Sequence, residues 1–224
     1  MVRKTFDNEL RRLQDQVLIM GSAVEKALSD AVDYLKRRDF DGSRRIMRED
    51  TEINRKRFAV ENDVLVLIAT QQPMAGDLRT LAAILEVVTE LERIGDYAKG
   101  ISKINLMIGE RELIKPLVDI PRMADKARDM LRRSLDAFMQ RDVAAARAIP
   151  KEDDEVDALY NQVYRELITY IMANPSVLEQ ANYLLWVAHN LERAADRVTN
   201  ICERVVFTVT GELGEFDNPS ADVC

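Results

Sequence analysis

The sequence predicts an all-α protein: two tandem three-helix bundles, six helices in all, related by an internal pseudo-twofold repeat. Three observations carry this prediction. Glycine and proline number only 8 and 6 among 224 residues, about half the usual share, so the chain has few turns. The first segment places an apolar residue at every position of a 3.5-residue stripe. Motifs of the first half return in the second at a nearly constant offset. Hydrophobic residues at 47% and charged residues at 32% suit a packed helical core and argue against disorder.

The first helix covers 6–37. Phe6, Leu10, Leu13, Val17, Met20, Val24, Ala27, Ala31 and Tyr34 step alternately by four and three residues, the seam of a coiled-coil-like bundle helix. Lys36-Arg37-Arg38 suits a helix C-terminus, and Asp39 reads as the N-cap of the next helix. That second helix spans 40–70 and stops before Gln71-Gln72-Pro73. The third spans 75–108 and ends at Gly109. After Pro116 and Pro121, helical pattern resumes over 121–140, then 142–173, then 175–210. Pro150 lies inside the fifth helix. It lacks a backbone donor and crowds the preceding turn, so a kink or break is expected between Ala148 and Pro150. Residues 211–224 contain Gly211, Gly214 and Pro219 without periodicity and are expected to fray.

The repeat fixes the domains. Arg38-Asp39 recurs as Arg141-Asp142, and Glu49-Asp50-Thr51-Glu52 as Glu152-Asp153-Asp154-Glu155, both offset by 103. Leu91-Glu92-Arg93-x-x-Asp96 recurs as Leu191-Glu192-Arg193-x-x-Asp196, offset by 100. A shorter turn at Asn174-Pro175 than at 71–76 accounts for the slip. The N-terminal bundle is then 1–112, the C-terminal bundle 113–210, and the tail 211–224.

Several function classes are disfavoured. A net charge of −7 and a pI near 5.0 work against general binding to nucleic-acid phosphates or anionic lipid heads. The longest charge-free stretch, 64–76, is 13 residues, too short to span a bilayer. Arg3-Lys4 leads into Asp7 and Glu9 rather than an apolar run, unlike a secretory signal. Cys202 and Cys224 give no disulfide framework. A cytoplasmic, reduced location is expected, with no direct membrane insertion. Phosphate-binding glycine loops and a nucleophile-elbow motif are absent, so no enzyme activity is expected and no catalytic residue is assigned.

Acids stand where apolar residues belong. The seam of the second helix reads Ile46, Asp50, Ile53, Arg57, Val60, Val64, Leu67; that of the fifth reads Ile149, Asp153, Val156, Tyr160, Val163, Leu167, Tyr170. An aspartate interrupts both at the repeat offset, and a carboxylate near a core stripe is costly unless paired. Glu92 with Asp96, and Glu192 with Asp196, sit four apart on one helical face. Beside Asp50-x-x-x-Asn54 and Asp153-x-x-x-Asp157, each bundle would present four oxygen-bearing side chains. Oxygen-only sets suit magnesium, calcium, manganese or ferric iron. The same acids also read as ordinary charged helix surface, paired by Arg57 or Arg197. His189 has Thr89 as its counterpart, and one histidine does not meet the Glu-x-x-His pattern that di-iron bundles use on two helices. It reads as structural, and Trp186 and the methionines read as packing.

At these residues the chain resembles a known family. Phe6-Asp7-Asn8-Glu9-Leu10 with Met20-Gly21, Gln71-Gln72-Pro73-Met74-Ala75-Gly76-Asp77-Leu78-Arg79, and Glu90-Leu91-Glu92-Arg93-Ile94-Gly95-Asp96 resemble the PhoU family of phosphate-signalling regulators. Leu191-Glu192-Arg193-Ala194-Ala195-Asp196-Arg197 and Asn200-Ile201-Cys202-Glu203 extend the likeness to the second repeat. The resemblance implies a cytoplasmic homodimer that acts with the ATPase subunit of a phosphate ABC transporter and with a sensor histidine kinase, restraining the starvation response. It also implies iron or zinc bound through Glu/Asp-x-x-x-Asp motifs. These map onto Glu92 with Asp96, Glu192 with Asp196, and Asp153 with Asp157. The fourth departs, because Asp50 is followed by Asn54, whose neutral amide is a poorer ligand. Ala195 replaces the glycine found at Gly95. The alternatives are a metal-storage or metal-dependent phosphate-handling bundle, which would use the same acids differently, and a plain helical scaffold without metal.

Overall fold

The structure, a computed structural model, describes residues 2–214 and 216. Among them are six long helices and one short one: α1 (Val2–Arg37), α2 (Phe40–Gln71), α3 (Ala75–Ile108), α4 (Asp119–Gln140), α5 (Val143–Ala148), α6 (Asp153–Ala173) and α7 (Leu178–Thr210). No strand occurs among the described residues.

The α1 seam is real. Phe6, Leu13, Val17, Met20, Val24 and Ala31 are buried, with Leu10, Ala27 and Tyr34 packed against them. Arg38 adopts a left-handed φ of 62°, and the Asp39 amide reaches back to the Tyr34 carbonyl, a Schellman stop. Asp39 then caps α2, its carboxylate accepting from the Gly42 amide at 2.8 Å. The second repeat builds the same corner with Arg141 (φ 55°) and Asp142, which accepts from the Ala145 amide at 3.0 Å.

Pro150 breaks the fifth predicted helix. It is replaced by the six-residue α5, a 3-10 turn (Ile149–Glu152) and α6. Proline fits the first turn of the 3-10 segment, where no donor is needed. A second 3-10 turn (Pro175–Val177) precedes α7. The fraying expected of the tail fails at Phe216, which packs against the core while its amide donates to Glu203 at 3.0 Å. The rest of the tail from 217 onward, with Pro219 and Cys224, lies outside the described residues.

α1, α2 and α3 form one bundle; α4, α6 and α7 form the other. The boundary expected near 112 falls in the 109–118 connection. That connection is fastened to α7 by Gln180, which accepts from the Ile114 amide at 2.6 Å and donates to the Glu112 carbonyl at 2.9 Å. The bundles also share one apolar core, because α3 packs along α7 and α1 along α4. Across the α3–α7 seam, Glu90 meets Arg197, Tyr97 meets Arg193 and Gly100 meets Asn190. Numbers rise on one helix as they fall on the other, so the helices are antiparallel and the pseudo-twofold axis passes between them. α3 is buried on most of its circumference, with Leu81, Ile84, Val88, Leu91, Ile94 and Ile101 at 1% exposure or less. Each such side chain contributes roughly 1.5–3 kcal/mol on burial.

Candidate metal centre

In the first repeat, α2 brings Asp50 against Glu92 and Asp96 of α3. Asp50 is only 4% exposed, as its place in the seam requires. Its charge is answered from within the chain. Lys99 Nζ lies 2.7 Å from Asp50 Oδ2 and 3.6 Å from Asp96 Oδ1. The Asn54 amide adds a long contact of 3.4 Å to the same Asp50 oxygen. Arg57 Nη1 stands 3.7 Å from Glu92 Oε2. The hydrogen bond to Asp50 holds the Lys99 ammonium above the ordinary lysine range. Burial raises Glu92, with the Arg57 charge opposing that shift.

The second repeat is different. Asp153 opens α6, Asp157 follows one turn on, and α7 supplies Glu192 and Asp196. Asp153 is pushed up to about 7, first by burial and then by the charges of Asp196, Asp157 and Glu192. Glu192 also rises to about 7, by burial and then by Asp196 and Asp157. Burial raises Asp157 and Asp196 too. Arg193 binds Asp196 at 2.8 Å. His189 Nδ1 lies 3.3 Å from Glu192 Oε2, yet that oxygen and Asp153 Oδ1 are buried without a hydrogen bond. The four acids thus repel one another across a shared region. Beside them, Asp153, Arg193, Asp196, Thr199 and Phe216 border an open cleft of about 360 Å³.

All seven predicted acids therefore fall into two groups, one per repeat: Asp50, Glu92 and Asp96, and Asp153, Asp157, Glu192 and Asp196. Among the described residues, no three His, Cys, Asp or Glu side chains stand ready to close on an ion. Side-chain rotation would be needed. Cys202 contributes no ligand: it is buried, and burial pushes its thiol up to about 12. The site residue that no sequence motif marks is Lys99. At the repeat offset Thr199 takes its place.

A family model described as the PhoU domain matches this chain twice, over residues 17–104 and 120–205. The chain belongs to the PhoU family. The two PhoU matches begin 103 residues apart, the offset of the structural repeat. The chain is 37% identical over 222 residues to the phosphate-specific transport system accessory protein PhoU homolog of Clostridium acetobutylicum, covering 97% of this chain and all of that one. The crystal structure of PhoU from Pseudomonas aeruginosa superposes with a TM-score of 0.88 at 31% identity, over 92% of this chain and all of that one. For the phosphate transport system regulatory protein PhoU from Streptococcus pneumoniae the TM-score is 0.87 at 31% identity, over 94% of this chain and all of that one. No helix among the described residues is long and apolar enough to cross a membrane.

Proposed function

We propose that the protein is a cytoplasmic regulatory adaptor of phosphate homeostasis. It engages the ATPase subunit of a phosphate ABC transporter and a sensor histidine kinase, and it restrains the starvation response when phosphate is plentiful. The observation that carries this reading is the paired PhoU domain, together with near full-length identity to a relative named as a phosphate-transport accessory protein. The surfaces suited to partners, including a second copy in a homodimer, are the outer faces of α2 and α6. There Leu65 and Ile168 occupy equivalent exposed positions, flanked by Phe58 and Met172.

In this reading the second repeat takes a hard or oxophilic cation through Asp153, Asp157, Glu192 and Asp196. Two buried oxygens without a hydrogen bond support it, as does the mutual repulsion of four acids. The ion would add positive charge beyond the Arg193 that already pairs with Asp196, and would fix α6 against α7. Asp153 and Glu192 would lose their protons to solvent as the ion binds, so uptake weakens as pH falls below about 7.

The test is a co-purification of the full chain with the transporter ATPase and the kinase from cells grown at high phosphate. Capture of both, with a starvation-gene reporter switched on by deletion of this chain, is the expected outcome. Absence of both contacts overturns the adaptor reading. A Glu192→Gln, Asp196→Asn variant that loses metal but keeps repression would separate the metal from the signalling.

A further inference from the structure

The two acidic clusters sit at equivalent places in the repeat, but their counter-charges do not. In the first, Lys99 and Arg57 lie against Asp50, Asp96 and Glu92. The equivalent positions in the second are Thr199 and Tyr160, both neutral, while Asn54 is matched there by a fourth acid, Asp157. The side chain of Asp50 is more than nine-tenths buried and still has one oxygen without a partner. The Thr199 hydroxyl, in turn, is buried and unbonded.

We propose that the Lys99 ammonium is the resident cation of the first cluster, so that only the second repeat is open to metal. The inference rests on the metal reading above for the second repeat alone. The physical reason is direct. A cation entering the first cluster must either displace Lys99 from Asp50 Oδ2, its shorter ion pair, or take the free Asp50 oxygen with the ammonium charge still beside it. Lys99 leaves α3 three residues after Asp96 and bridges to α2, so it joins the two helices as an ion would. An ammonium donates hydrogen bonds but carries a single charge, which matches a cluster holding one carboxylate fewer. The second repeat has lost this tether and holds an extra acid; Arg193 pairs with Asp196 at 2.8 Å, but Asp153 Oδ1 and Glu192 Oε2 stay buried without a hydrogen bond.

The experiment uses the full chain, stripped of metal and titrated with Mn2+ by calorimetry and by electron paramagnetic resonance of free Mn2+. Wild type is expected to show uptake that Glu192→Gln, Asp196→Asn abolishes and Glu92→Gln leaves unchanged. Lys99→Thr is expected to add a second class of sites, removed again by Glu92→Gln, whereas Lys99→Arg adds none. Without metal, Lys99→Thr lowers the melting temperature by stranding Asp50, and Mn2+ restores it. Saturable Mn2+ binding in the Glu192→Gln, Asp196→Asn protein, with Lys99 in place, overturns the inference even if Lys99→Thr fails to fold. So does a folded Lys99→Thr protein that gains no site. If wild type binds nothing while Lys99→Thr binds through Glu92, the metal reading of the second repeat fails and the role of Lys99 stands.

Discussion

Asp153 and Glu192 hold their protons up to about pH 7 in the folded chain, whereas unfolded carboxyls release theirs near pH 4. Between those values the folded state binds more protons, so stability falls as pH rises through that window and the full penalty stands above it. Glu152 has the opposite sign. The hydrogen bond from Arg133 holds it down to about 2, and the stability it lends is lost only as pH falls toward that value. Replacing Asp153 with Asn and Glu192 with Gln should therefore raise the melting temperature of metal-free protein at about pH 8 and leave it unchanged near pH 4. Both groups are partly open to solvent, which reduces the effect to on the order of 1 kcal/mol, about 2–4 °C for a chain of this length. Thermal melts across pH check it. Identical profiles for variant and wild type would contradict the assignment.

At the level of helices, corners do much of the specifying. The Asp142 cap is worth about 1 kcal/mol, and Asp142→Ala should lower the urea midpoint accordingly without changing the slope. The first corner carries an additional clamp. The buried Asn105 amide donates to the Ser43 hydroxyl at 2.9 Å, the Tyr34 carbonyl at 3.1 Å and the Asp39 carbonyl at 3.3 Å. Asn105→Ala removes these bonds while the Tyr34 and Asp39 carbonyls keep the Asp39 and Ser43 amides, and should cost about 1–2 kcal/mol in the same titration. The Asp39 cap and the break at Pro150 were legible because each depends on two or three adjacent residues. The extra burial of Leu28, Val32 and Leu35 on α1 was not, because it depends on which helices, α4 among them and distant in sequence, come to surround α1. Likewise, Asp50 stood out as an acid in an apolar seam, whereas Lys99 looked like any lysine on a charged helix. Only its approach to α2 distinguishes it.

Across the whole molecule, the shared core makes the halves interdependent. Gly21 of α1 lies beneath Leu135 of α4, where an added Cβ would overlap the leucine methyl, and α3 is covered by α7 on the side its own bundle leaves open. Unfolding should therefore give a single calorimetric transition, and two resolved peaks would show that the bundles are independent. The α3–α7 seam has a further consequence. Glu86 and Glu90 lie on α3, while Arg204 and Arg197 face them from α7. If two first halves met through α3 in the same register, Glu86 would face Ile104. If two second halves met through α7, Arg204 would face Trp186. Only the unlike union neutralises every one of these charges, so the duplicated modules have become a matched pair, and mispairing between neighbouring chains is disfavoured by electrostatics.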